Sequence, residues 1–150
     1  MQDDTDAFGK IATRKAQYCR YVDTKRWEVF RELFSDVPDI RFVDTEGNTI
    51  NAFTSVEEFV TISALYLDGA QTIHQVHNAE MERISDDQVN AIWSMEDYLL
   101  FPAVEDARPA SMHGYGHYHE TWKFEAGQWR IAKLELRRTI LEIRPKEPVQ

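Results

Sequence analysis

The sequence predicts an α+β fold in which a strongly curved antiparallel sheet forms a cone and N-terminal helices cover it. Three observations predict this: helical apolar spacing confined to the start of the chain, four long runs rich in β-branched and aromatic residues in the second half, and short turn signals between them. The chain has 150 residues, 43% of them hydrophobic and 12% aromatic, enough to bury a core without disulfides or a structural metal. No repeat, low-complexity tract or Gly/Ser linker divides it, so residues 1–150 are expected to form one domain with a core of about 8–142 and loose ends.

From about Asp6 to Phe34, Ile11, Tyr18 and Val22, then Trp27, Phe30, Leu33 and Phe34, recur at helical spacings, with Asp23-Thr24 dividing two helices. After Pro38 the pattern shortens to extended runs, Ile40 to Asp44 and Thr49 to Phe53, joined by a hairpin turn at Glu46-Gly47-Asn48. Ser55-Val-Glu-Glu58 reads as a capping box opening a helix that runs to about Leu67 and stops at Asp68-Gly69. Residues 71–84, 88–101, 111–125 and 128–143 then read as long strands, separated by Asp86-Asp87, a loop holding Pro102 and Pro109, and a tight turn at Ala126-Gly127-Gln128. Four consecutive strands of this length pair antiparallel and curl, leaving an interior.

Strand alternation sorts the side chains. Val89, Ala91, Trp93, Met95, Leu99 and Phe101 share one face, and Asp97 falls in their register. In the last strand Ala132, Leu134, Leu136 and Ile140 share a face with Arg138, while Ile131, Lys133, Glu135 and Arg137 take the other. A charge on an apolar face is costly unless it is paired or has a task, so Asp97 and Arg138 are either a buried ion pair or part of a site. The third strand places Gly114 and Gly116 on the face of Met112, Tyr118, Trp122 and Phe124, where absent side chains leave room or allow a bend. Trp93, Met95, Tyr118 and Leu136 are thereby expected to shape an apolar slot.

The charge balance excludes partners. With 17 Lys+Arg against 26 Asp+Glu the net charge is −9, which disfavours nucleic acid. The single Cys19 forms no internal disulfide, the start MQDDTDAFGK lacks the features of a secretory signal, and the longest apolar stretch, Tyr98 to Val104, is interrupted by Pro102. The expectation is a cytoplasmic protein that does not enter a membrane. Cys19 has no identified base to activate it as a nucleophile.

Tyr18 and Asp23 at the end of the first helix, and His74 near the start of the first long strand, complete the candidate constellation. A histidine beside a carboxylate in an apolar pocket suits general base catalysis. The series Tyr18-x4-Asp23-x3-Trp27, Thr72-Ile-His74, Trp93-Ser-Met-Glu-Asp97 and Trp129-x8-Arg138 resembles the SnoaL-like branch of the nuclear transport factor 2 superfamily, the branch holding scytalone dehydratase, hexachlorocyclohexane dehydrochlorinase and bile acid 7α-dehydratase. The resemblance spans roughly residues 8–142. It implies the cone, also described as a cystatin-like α+β barrel, no cofactor or metal, often a homotrimer with a dimer as the alternative, and catalytic roles for Tyr18, Asp23, His74, Asp97 and Arg138. The implied activity is a dehydratase-type lyase acting on a hydrophobic, ring-containing small molecule. Isomerisation, cyclisation and retro-aldol cleavage on an aromatic compound use the same proton transfers, and a non-catalytic small-molecule-binding role uses the same fold.

Two points stay open in the sequence. Strict alternation from Ile73 through Ala79 and Met81 puts His77, rather than His74, on the more apolar face, so His77 is a substrate-contact candidate unless a bulge intervenes. His117-Tyr-His119, with His113 or Glu125, has a spacing compatible with a metal site on one side of a strand. These three histidines alternate away from the apolar face, and the expectation is an outer, metal-free surface.

Overall fold

A computed structural model describes residues 4–148; the outermost positions of the expected domain, 1–3 and 149–150, lie outside the described residues. The elements in chain order are α1 (Asp4–Asp23), α2 (Trp27–Arg31), β1 (Phe34–Val43), β2 (Thr49–Phe53), α3 (Val56–Tyr66), β3 (Gln71–Ser85), β4 (Gln88–Leu100), β5 (Ser111–Glu125) and β6 (Gln128–Arg144). The strands make one curved, unclosed sheet in the order β2-β1-β6-β5-β4-β3. Among the described residues no helix is long and apolar enough to cross a membrane.

The helices form where the apolar spacing puts them. In α1, Ala7, Ile11, Lys15, Tyr18, Cys19 and Val22 are buried, a stripe of three- and four-residue steps that carries one lysine. The chain leaves α1 through Lys25 in the left-handed region, φ 57°. The second helix ends at Arg31, earlier than its periodicity suggests, because Phe34 opens β1 and pairs with Ile131 of β6. Pro38 lies inside β1 in the irregular stretch of that ladder between Phe34 and Asp39, where its missing N–H removes no regular bond. The hairpin turn after β1 is fixed by Asp44, whose Oδ1 accepts from the N–H groups of Glu46 and Asn48, both at 2.9 Å. Ser55 caps α3 as expected, its Oγ accepting from the Glu58 N–H at 3.2 Å.

Four strands, β3 to β6, pair antiparallel in sequence order, but β1 joins β6 in parallel, so the sheet is mixed. The long crossover through β2 to β5 makes a parallel partner possible, and short-range patterning carries no trace of it.

Bulges decide which face each residue takes. In β3 the register slips between His77 and Glu80, with Asn78 at φ 48°. Thr72, His74 and Val76 thus face inward before the bulge, and Met81 and Arg83 after it. Slips between Tyr115 and Gly116 and between Thr121 and Trp122 act on β6 in the same way. Ile131 is therefore fully buried and Ile140 is 51% exposed, the reverse of the alternation read from sequence, and Ala132 is displaced from the inner row. β4 has no such slip with β5, and its expected inner row from Val89 to Phe101 is buried throughout.

The two glycines of β5 are required by close approach. A Cβ on Gly116 would lie 2.2 Å from the Arg137 carbonyl oxygen, and one on Gly114 would lie 2.1 Å from Arg138 Nη1. Gly9 in α1 has nothing within 4 Å of the same position. G116A is expected to lose at least about 2 kcal/mol in urea unfolding, whereas G9A gains about 0.5–1 kcal/mol from helix propensity.

Candidate active site

Asp23 is the last residue of α1, and the turn that follows directs its carboxylate at the start of β3. Its Oδ2 accepts the His74 backbone N–H at 2.9 Å, and its Oδ1 accepts the Thr72 hydroxyl at 2.8 Å. The same Oδ1 lies 2.7 Å from His74 Nδ1. This grip fixes the ring and favours the tautomer that carries its proton on Nδ1, leaving Nε2 as the free base. Nε2 is 4.0 Å from Asp97 Oδ2. Asp97 on β4 and Arg138 on β6 are bridged across β5, over Gly114, by two parallel hydrogen bonds: Nη1 to Oδ1 at 2.7 Å and Nη2 to Oδ2 at 2.8 Å. Burial draws the Arg138 guanidinium downward, but the hydrogen bonds and charge of Asp97 hold it above its usual value.

His74, Asp97 and Arg138 line a cavity of about 430 Å³, together with Tyr18 and Tyr118. The remaining wall is largely apolar, with Phe30, Phe42, Phe53, Phe59, Leu99 and Leu136 among its residues. A second cleft of about 520 Å³, between α1 and the β5–β6 turn, is lined by Thr13, Gln17 and Gln128 among others and contains none of the five predicted catalytic residues. The chemistry therefore belongs to the first cavity, where Tyr18, Asp97, His74 and Arg138 contribute wall and Asp23 supports His74 from behind.

Of the expected substrate contacts, Tyr118 and Leu136 line the cavity. Trp93 and Met95 do not: the inner face of β4 runs from packed core into the cavity, and only Asp97 and Leu99 reach it. His77 is exposed on the opposite face, since the β3 bulge lies after it and leaves His74 in the inward row. His113 is also on the outer face and shares a hydrogen bond with Glu96 (Nε2 to Oε2, 2.7 Å). Burial and the Arg137 charge pull His119 below its usual value. Among the described residues no group of three or more His, Cys, Asp or Glu is arranged to hold a metal ion. Burial pushes the Cys19 thiol up to about 11, against the pull of Lys15, so it stays protonated near neutrality.

Three further residues belong to the arrangement, none of them assigned a role by the sequence alone. Thr72 is one; its hydroxyl is hidden in a strand signal. The others, Lys15 and Glu120, form an ion pair of 2.5 Å with both side chains fully buried. Each stood in an apolar register that could have revealed it, Lys15 between Ile11 and Tyr18, and Glu120 between Tyr118 and Trp122.

Burial raises the Tyr18 phenol well above its usual value and the Glu120 charge adds to the rise; burial does the same to Tyr118, with Tyr18 adding to it. In the unfolded chain both ionise near 10, while the fold keeps them protonated. The fold thus binds more protons at high pH, and the stability they contribute is complete below about pH 10 and declines above it. The urea midpoint is expected to hold from neutrality to about pH 9 and then fall, with Y18F showing a shallower fall.

A profile of the SnoaL-like domain matches residues 4–135. The "Probable cyclase FGR4" of Gibberella zeae is 30% identical over 146 residues, covering 92% of this chain and 95% of that protein. Among solved structures, a scytalone-dehydratase-like protein from Novosphingobium aromaticivorans superposes with a TM-score of 0.79 at 18% identity, covering 97% of this chain and 95% of the other. A type 2 hexachlorocyclohexane dehydrochlorinase, LinA, superposes with a TM-score of 0.77 at 18% identity, covering 97% and 94%. The helices and the curved mixed sheet are the fold these structures share, and with the domain match over residues 4–135 the chain belongs to the SnoaL-like domain family.

Proposed function

We propose that the protein is a lyase of the dehydratase type, acting without a cofactor on a neutral, ring-containing small molecule that carries a carbonyl. The observation that supports it most is the Asp23–His74 hydrogen bond of 2.7 Å beside a largely apolar cavity of about 430 Å³. His74 Nε2 removes a proton from the carbon next to the carbonyl, and the electron pair moves onto the carbonyl oxygen. Tyr18, kept as a neutral phenol, donates a hydrogen bond to that oxygen. The enolate then expels hydroxide from the neighbouring carbon, and the proton held by His74 completes it to water. Asp97 steadies the imidazolium; its two bonds to Arg138 favour this over a proton relay. With Asp97 and Arg138 neutralising each other, the cavity offers no free Lys or Arg among the described residues to an anionic substrate, which favours a neutral one. The reading includes a cytoplasmic homo-oligomer, a trimer by resemblance, whose copy number light scattering would count.

A suitable probe is 3-hydroxy-1-tetralone, which loses water to give 1-naphthol, a fluorescent product. Turnover is expected, together with exchange of the proton next to the carbonyl in deuterium oxide. Exchange without naphthol points instead to cyclisation or isomerisation, a second reading favoured by the likeness to the Gibberella zeae protein. Absence of both overturns the proton-abstraction reading.

A further inference from the structure

We propose that Lys15 and Glu120 are positioning residues for the two phenols of the site: a buried dipole whose positive end is set against Tyr18 and Tyr118, so that both hydroxyls bind and stabilise negative charge developing on a substrate oxygen. The proposal rests on the enolate-forming reaction above.

The geometry is asymmetric. Lys15 Nζ lies 3.7 Å from the centroid of the Tyr18 ring and 3.6 Å from that of Tyr118, between two rings that both line the cavity. The carboxylate of Glu120 holds the ammonium, 2.5 Å from it through Oε2. Its Oε1 accepts from the indole N–H groups of Trp93 at 2.7 Å and Trp122 at 2.9 Å, and neither indole lines the cavity. The anionic end is hydrogen-bonded to the two indoles in the core, from where its charge still raises the Tyr18 phenol, while the cationic end meets the faces of the site's phenols.

Stability does not account for such a pair. Removing two charges from water is expensive, and replacing a buried ion pair by apolar groups of similar volume is often neutral or stabilising. What the pair supplies is a fixed field. An ammonium against the face of a phenol ring draws on its electron density and makes the hydroxyl a better donor. In a site with little water that field is weakly screened and needs no reorganisation as charge develops. The ammonium also clamps both rings, which meet edge to face with centroids 5.7 Å apart, so the two hydroxyls keep a fixed separation.

The test is K15M/E120Q, which removes both charges and keeps a side-chain oxygen for the two indoles. Near-UV circular dichroism should be retained. With 3-hydroxy-1-tetralone, kcat is expected to fall about tenfold or more, because the field acts only on the charged transition state. KM and the Kd for 1-naphthol should change by less than about threefold. An unchanged kcat in the folded double variant, or kcat, KM and naphthol affinity moving together, overturns the proposal. Should the double variant not fold, K15Q/E120Q, which removes both charges and keeps a hydrogen bond between the two side chains, gives the same comparison. H74A is assayed alongside: activity surviving in H74A sinks the parent reaction, whereas full activity in K15M/E120Q with H74A inactive sinks only the dipole.

Discussion

H74A should lower turnover of 3-hydroxy-1-tetralone by at least about a thousandfold while leaving circular dichroism and the urea midpoint close to those of the wild type. A positioned general base contributes ~10²–10⁴-fold, and here one imidazole serves as both base and proton donor, so its removal disables two steps. The fold should survive because His74 is part-buried at the start of β3 and its backbone N–H, which Asp23 accepts, is retained in the variant. D23N tests the support separately. An amide can donate to Nδ1 and favour the wrong tautomer, so a loss of kcat at nearly unchanged KM is expected. Near wild-type turnover in H74A would remove His74 from the mechanism.

The second large effect is on stability. D97N leaves the Arg138 guanidinium, 11% exposed, without its counter-charge. Breaking a buried pair from one side typically costs ~3–5 kcal/mol, which for a chain of this size is a fall of roughly 10 °C in Tm. D97L/R138M removes both charges and should recover most of that loss, yet stay inactive, because the imidazolium then lacks its neighbouring carboxylate. G114A should weaken the same pair from a third strand, its Cβ falling 2.1 Å from Arg138 Nη1 and 2.8 Å from Asp97 Oδ1. A D97N midpoint within 1 kcal/mol of wild type, by the scale of exposed pairs, would mean that the bidentate geometry is not maintained in solution.

How far the site could be read from the chain varied strand by strand. β4 was legible because its register with β5 is unbroken, so Asp97 and its apolar companions alternate as the pleat requires. β6 was legible only in part. Leu134, Leu136 and Arg138 point inward as their spacing suggests, but slips on either side send Ile131 in and Ile140 out. In β3 the ambiguity between His74 and His77 was real, since the bulge at Asn78 reverses the alternation and nothing in its neighbours marks the position. Lys15 and Glu120 are hidden for a different reason. Each is a charge in an apolar register, as Asp97 and Arg138 are, but one lies on a helix and its partner on a strand 105 residues away, so spacing within either element does not pair them.

By itself the sequence determined the elements and their apolar faces, the cap of α3, and the residue types needed for a proton transfer, because these depend on periodicity and side-chain chemistry within a few residues. Only the tertiary structure decided which imidazole faces the cavity, that Asp97 is committed to Arg138, that Trp93 and Met95 belong to the core, and that β1 joins β6 in parallel. Those outcomes follow from bulges and from contacts between strands distant in the chain. A one-residue slip moves every later side chain to the other face, so local spacing cannot carry that information.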